Sequence, residues 1–371
     1  MLRTIKLKNF RSFGECSIDL NSINILIGGN GSGKSNFISL FVLLNYIGKA
    51  KLRAWIAQKG GFDNVVYKGI QENDTIDIEF IFDSKKEGLL NVYGLSIGAT
   101  EDDYIISREY IGYWDKALYH EPYTTAINSL GNESKLSSYA NSSSNISNDN
   151  YIAGHIYDII KDWKIYHFDD VSPNSGKKRE QRIEDGYSLN EEGDNIAAFL
   201  YFIKKKFNDN YQKIVEAVRL VAPYFNDFVL EPDILNNELI KLKWTEKDGI
   251  KEFGASLISD GTIRFICLAA LLLQPFMPKI IIIDEPELGL HPLAIQILSE
   301  LIKKASVKSQ IITATQSVTL LNQFEPKDII VLDKEKNGSF IKRLNEEELS
   351  EWLQDYTLGE LWESNYIGGR Y

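Results

Sequence analysis

Residues Ile23 to Asn36 read Ile23-Asn24-Ile25-Leu26-Ile27-Gly28-Gly29-Asn30-Gly31-Ser32-Gly33-Lys34-Ser35-Asn36, and they decide the fold. Ile23, Ile25 and Ile27 make an apolar strand, and Phe37 to Ile47 has the pattern of an apolar helix. Between them, Gly28 to Ser35 satisfies G-x-x-x-x-G-K-[ST]. A strand before the glycines and a helix after them is the context this motif needs. The glycines let the backbone curl with its N–H groups inward, and the new helix adds its positive end. Such a loop holds phosphate. Lys34 is placed to reach β- and γ-phosphates, and the Ser35 hydroxyl to ligate Mg²⁺.

A second motif supports a nucleotide. Ile280-Ile281-Ile282-Ile283-Asp284-Glu285-Pro286-Glu287 reads as a buried strand ending in carboxylates. Ligands of open α/β sheets sit at that end of a strand. Asp284 is then positioned for the Mg²⁺ shell, and Glu285 for the attacking water as general base. His291, in Leu288-Gly289-Leu290-His291-Pro292, either polarises something at the site or makes a local structural contact before a helix-starting proline. The next strand ends in Thr313-Ala314-Thr315-Gln316-Ser317. The amide of Gln316 cannot act as a base, but it can sense phosphate or water by hydrogen bonding.

Between these motifs lies Leu257-Ile258-Ser259-Asp260-Gly261-Thr262-Ile263-Arg264-Phe265. Its local reading is the start of an apolar helix over Thr262–Leu273, capped by Ser259 or Asp260. Arg264 contacts either phosphate or an acidic neighbour.

The rest of the chain bounds the answer. It has 371 residues, 44% hydrophobic and 25% charged, which is ordinary for a globular protein with a large core. Cys16 and Cys267 lie far apart without metal-ligand spacing, so both are expected as reduced, buried thiols in a cytoplasmic protein. The opening MLRTIKLKNF lacks the apolar run of a signal peptide, and no stretch approaches the ~20 apolar residues of a membrane span. A net charge of −11 argues against unselective coating of nucleic acid. The basic runs at 177–182 and 204–206 are solvated faces or a patch for nucleic acid or a partner.

The expected architecture is α/β: a mainly parallel core sheet, an N-terminal antiparallel β subdomain and a helical insertion. Residues 75–114 alternate as antiparallel strands, and 194–225 have helical spacing. The Ser/Asn-rich stretch 131–150 is expected as a mobile surface loop. The acidic stretch Glu346–Tyr371, with Trp352, Tyr356, Trp362 and Tyr366, is either a partner-docking strip or a packed helix. The chain divides into a first lobe at 1–170, the helical insertion at 171–250, and a second lobe at 251–371.

Together these motifs resemble the ATP-binding-cassette (ABC) ATPases, and within them the SMC/RecF/OLD group. Lys8-Asn9-Phe10-Arg11-Ser12-Phe13 is similar to that group's opening strand and turn. Leu257 through Ser317 is similar to the bacterial stand-alone "AAA family" ATPases of phage-defence operons. The resemblance implies an ATP hydrolase whose ATP is contacted by Arg11, Asn30, Gly31, Ser32, Gly33, Lys34, Ser35 and Asn36. It implies Mg²⁺ on Ser35 and Asp284, and catalysis by Glu285 with Gln316. It also implies head-to-tail dimers, in which Ser259 and the backbone at Gly261 cap the nucleotide held by the other chain. A separate effector encoded nearby, a nuclease or toxin, is the implied partner, and DNA is a possible one. A RecF-like DNA-repair ATPase and an ATP-bound scaffold with little turnover are the alternatives.

The chain departs from the pattern in several places. Gln316 stands where most members have a histidine. The signature reads Ser-Asp-Gly-Thr rather than Ser-Gly-Gly-Gln. Gln58 is a weak candidate for a glutamine loop, and no heptad arm is present. The residues after Glu285 leave little room for the Toprim nuclease domain of OLD proteins.

Overall fold

The computed structural model describes residues 1–69, 75–100, 103–128, 131–141, 148–161, 163–247, 249, 251–335 and 338–370. They form two compact units, Met1–Lys164 with Pro326–Tyr371, and Ile165–Glu325.

The first unit holds an antiparallel sheet of Phe13–Asp19, Leu2–Phe10, Thr75–Asp83, Leu90–Ala99, Tyr104–Trp114 and Tyr123–Asn128, in that order. The alternation over 75–114 therefore marks real strands. Ile76, Ile78, Phe80 and Phe82 are buried, while Thr75, Asp77 and Glu79 reach the other face.

Also in this unit, Ile23–Ile27 runs parallel to Ile329–Glu335, with Ile25 opposite Ile329 and Ile27 opposite Val331. Gly338–Arg343 closes antiparallel on Ile329–Glu335. All five residues of Ile23–Ile27 are buried, and the one polar side chain among them, Asn24, is satisfied by the Asn21 backbone. The helix Lys34–Gly48 follows the glycine loop. Phe37 packs edge-on against Phe13 and Phe41, and Phe41 meets Trp163.

The stretch 131–150 departs from the loop expectation, except for 142–147, which lie outside the described residues. Leu136–Ala140 is helical, and a helix Asn148–Ile160 begins within the stretch. Polar composition hid the reason: the buried Glu109 carboxylate accepts from Tyr93 OH, Ser134 Oγ and the Lys135 N–H, which docks the segment.

In the second unit Ile280–Asp284 and Gln310–Thr315 run parallel, Ile282 opposite Ile312, joined through the helix Pro292–Ala305. That helix starts with proline, and His291 caps it by accepting from the Leu293 N–H at 3.4 Å. His291 thus makes a local structural contact. The expected helices appear as Ile196–Lys206 and Asn208–Val221.

The span 171–250 also contributes to a three-stranded antiparallel sheet of Phe225–Val229, Lys243–Glu246 and Glu252–Gly254. Trp244 stacks between Phe225 and Phe253 at its centre. Strands this short carry no readable period. Among the described residues no helix is long and apolar enough to cross a membrane.

Candidate functional site

In the first unit the phosphate loop is shaped by two left-handed glycines, Gly31 at φ 78° and Gly33 at φ 111°. A Cβ on Gly33 would lie 2.5 Å from Ser339 Oγ and 3.0 Å from Ser12 Oγ. A Cβ on Gly28 would lie 2.5 Å from the Leu332 carbonyl oxygen. The loop is therefore clamped by its neighbours as well as curled by its own torsions. Asn36 Nδ2 donates to Ser12 Oγ at 2.9 Å, and the Ser339 N–H donates to the Ser12 carbonyl at 2.6 Å. These bonds bring the turn bearing Arg11 beside the loop. Arg11 has a left-handed backbone, φ 51°, and among the described residues its guanidinium makes no hydrogen bond or ion pair. Burial alone lowers its pKa.

These residues fit a phosphate chain. No side chain caps the start of helix Lys34–Gly48, and no acid occupies its first turn, so its N–H groups suit an anionic acceptor. Ser32 Oγ is buried without a hydrogen-bond partner among the described residues. Lys34 Nζ donates to the Gly28 and Gly29 carbonyls, which folds the side chain along the loop. Ser35, Asn30 and Gly31 are exposed at its mouth.

The chain end also reaches this loop. Trp362 is buried, and its Nε1 donates to the Gly369 carbonyl at 3.3 Å. The Gly369 N–H donates to Asp333 Oδ2 at 2.9 Å. A Cβ on Gly369 would stand 3.5 Å from Gly28 Cα and 2.7 Å from Val331 Cγ1. Leu358, Leu361 and Ile367 are buried too. Outside them Trp352 lies 4.4 Å from the Tyr366 ring, and both are half-exposed. The acidic stretch is thus a packed segment with an exposed aromatic face, where the sequence left the two readings apart.

In the second unit the strand Ile280–Asp284 delivers Asp284 and Glu285. Glu285 has φ 45°, a left-handed conformation rare for a non-glycine residue and concentrated at functional sites. Its N–H donates to the Ala314 carbonyl at 2.9 Å. Gln316 Nε2 donates to Glu285 Oε1 at 3.0 Å.

Glu287, to which the sequence reading gave no role, holds the same strand end. Its Oε1 accepts from Thr315 Oγ1 at 2.5 Å and from the Gln316 N–H at 3.2 Å. Its Oε2 is buried without a hydrogen-bond partner among the described residues. Burial, more than the nearby Glu285 charge, pushes the Glu287 carboxyl above the usual range.

A pocket of about 90 Å³ opens beside these carboxylates, lined in part by His167, Asp169, Arg264, Asp284 and Glu285. His167 Nδ1 lies 3.9 Å from Asp284 Oδ2. The sequence reading passed over His167, and only its place after the strand Lys164–Tyr166 was there to point to it.

The signature stretch forms the helix Asp260–Leu273, and Ser259 is its cap, accepting from the Thr262 N–H at 3.2 Å. Arg264 pairs with no acidic neighbour among the described residues. Its guanidinium binds backbone carbonyls instead, because three of them converge on it: Leu288 at 2.9 Å, Asp169 at 2.7 Å and Phe168 at 3.3 Å. Three lysines of the basic runs are also engaged. Lys177 is buried on the Asp170 carbonyl, Lys178 bridges to Asp260 at 3.2 Å, and Lys204 lies over the Tyr211 ring.

The fold is that of an ABC-type head of the SMC group. A crystal structure of an SMC head bound to the C-terminal winged-helix domain of ScpA superposes with a TM-score of 0.59 at 17% identity, covering 94% of this chain and 99% of that one. The SMC head with an extended coiled coil bound to the C-terminal domain of ScpA, from Pyrococcus furiosus, gives 0.57 at 14% identity, covering 95% and 98%. The chain belongs to the family described as AAA domain, putative AbiEii toxin, Type IV TA system, whose model matches residues 23–322. No curated protein matches it. Membership and fold imply that the chain binds nucleotide with a divalent metal.

Proposed function

We propose that this protein is an ATP hydrolase that dimerises head to tail around two ATP molecules and thereby drives or regulates a separate effector in antiviral defence. The observation that carries the enzymatic part is Glu285, a carboxylate in a strained backbone conformation at the end of a buried strand, gripped by Gln316. Backbone strain of this kind clusters at functional sites.

In this mechanism Lys34, Ser32 and the loop N–H groups grip the phosphates, and Arg11, Asn30 and Asn36 flank them. Ser35 and Asp284 would hold Mg²⁺, which neutralises charge on the phosphate oxygens when bound. Glu285 accepts a proton from the water that attacks the γ-phosphorus, and Gln316 orients that water and carboxylate. Ser259 and the Gly261 backbone close the γ-phosphate side of the partner's nucleotide.

The effector role is supported by the family's description, which names a toxin system, and by the winged-helix partner seen on an SMC head of this fold. The engaged lysines and the net charge of −11 favour a protein partner over DNA.

Single-turnover hydrolysis tests the reaction. Wild-type protein releases phosphate and Glu285→Gln binds ATP without releasing it. No release by wild type, with candidate effector and DNA present, would leave a scaffold instead. Mixing Lys34→Ala with Ser259→Arg chains restores about one intact composite site per heterodimer. Absence of recovery at every ratio rules out cross-chain sites.

A further inference from the structure

We infer that Arg264 is a positioning residue that couples the helix start at Ser259–Gly261 to the loop carrying Glu285 in the same chain. The inference rests on the composite-site reading above and adds to it how the capping element of one chain reaches that chain's own carboxylates.

One guanidinium holds three separate places: Leu288 O in the loop after Glu285, and Phe168 O and Asp169 O in the segment beside the pocket. Only arginine offers that many donors in a rigid plane. Arg264 itself sits in the second turn of the helix that Ser259 caps, so it moves with the helix start.

The glycines remove the slack. A Cβ on Gly261 would collide with the Gly289 carbonyl oxygen, so the helix start and the loop touch backbone to backbone. Gly289 has φ 72°, and a Cβ there would stand 2.6 Å from Arg264 Nη1. A side chain at Gly261 would displace Gly289, and one at Gly289 would displace the Arg264 guanidinium.

The loop is short and internally bonded. The Leu288 N–H donates to the Glu285 carbonyl at 3.2 Å, and the Leu290 N–H to the Glu287 carbonyl at 2.9 Å. A displacement of Leu288 O therefore passes to Glu285, which already occupies a left-handed backbone region with little freedom. The same arginine fixes Phe168 and Asp169, and so keeps His167 at 3.9 Å from Asp284. Contact at Ser259–Gly261 is thus read at both carboxylates.

The test uses the full-length chain, wild type and Arg264→Lys, which keeps the charge and loses the fork. Hydrogen exchange is followed at residues 259–262 and 286–290 through an ATP titration, beside nucleotide affinity and kcat. In wild type both segments become protected with one midpoint. In Arg264→Lys the nucleotide Kd stays within about twofold while kcat falls roughly tenfold to hundredfold, and protection persists at 259–262 but is lost at 286–290.

Wild-type kcat and loop protection in the lysine variant would overturn the inference. If that variant does not fold, the wild-type titration decides, because separate midpoints for the two segments overturn it equally. Protection confined to 259–262 in wild type removes the coupling and leaves the composite site standing. No protection at 259–262 in wild type removes both.

Discussion

Gln316 Nε2 sits 3.0 Å from Glu285 Oε1, while the Gln316 N–H bonds Glu287 Oε1 at 3.2 Å. Two carboxylates of one strand end therefore hold one glutamine, by its side chain and by its backbone. A histidine there would titrate with pH, whereas an amide keeps one donor–acceptor pattern. Glu285→Gln is expected to lower kcat by about 10²–10⁴-fold with ATP affinity kept. Gln316→Ala leaves the Glu285 carboxylate untethered and lowers kcat with little change in nucleotide Kd. Phosphate release and a fluorescent-nucleotide titration measure the two effects. Loss of affinity in step with kcat would show that Gln316 grips the ground state instead.

The phosphate loop and the strand end were legible because their chemistry is written in consecutive residues with a strand or helix on each side. Gly28 to Ser35 and Ile280 to Glu287 carry both the fold and the site. Contacts distant in sequence were not legible. Arg264 reaches Phe168 and Asp169 across 96 and 95 residues, and no spacing rule predicts that three carbonyls will converge on one guanidinium. Nor does composition reveal the helix at Asn148–Ile160 or the buried Glu109 anchor, because the flanking serines and asparagines dominate the count. The strain at Glu285 is a torsion, which sequence patterns do not report for a non-glycine residue.

Glu287 titrates in the unusual direction for a carboxylate. Its folded pKa is raised by burial, so its favourable contribution is full below the unfolded carboxylate value and is lost as pH rises through the folded one. Glu287→Gln keeps an Oε1 acceptor for Thr315 and Gln316 without the buried charge. Its stability relative to wild type is expected to improve as pH rises from the acidic range to neutrality. Glu287→Ala removes the acceptor and costs about 1–3 kcal/mol in the acidic range, a cost that shrinks as pH rises to neutrality. Urea unfolding across pH measures both, and a Gln variant that loses ground towards neutral pH contradicts the assignment.

Cys16 and Cys267 are both free, and burial pushes each thiol up to about 12. Near neutral pH only about one molecule in 10⁵ carries either thiolate, and thiolate is the reactive form. Native protein is therefore expected to resist iodoacetamide at both positions, and denatured protein to take up label at both. Mass spectrometry of labelled peptides checks this. Rapid native labelling of Cys16, the less buried of the two, would contradict the raised thiol.

Trp362 links the chain end to the phosphate loop through Gly369, which packs on Gly28. Trp362→Ala removes a buried aromatic and the donor to the Gly369 carbonyl, a change that costs about 3–5 kcal/mol in a packed core. The same loss frees Gly369 from the back of the loop, so ATP affinity weakens as well as stability. Trp362→Phe separates the two effects. It keeps most of the apolar surface but not the Nε1 donor, and is expected to recover most of the thermal stability while ATP affinity remains below wild type. Thermal unfolding and nucleotide titration on the two variants decide it. Full recovery of affinity in the phenylalanine variant would assign the link to packing alone.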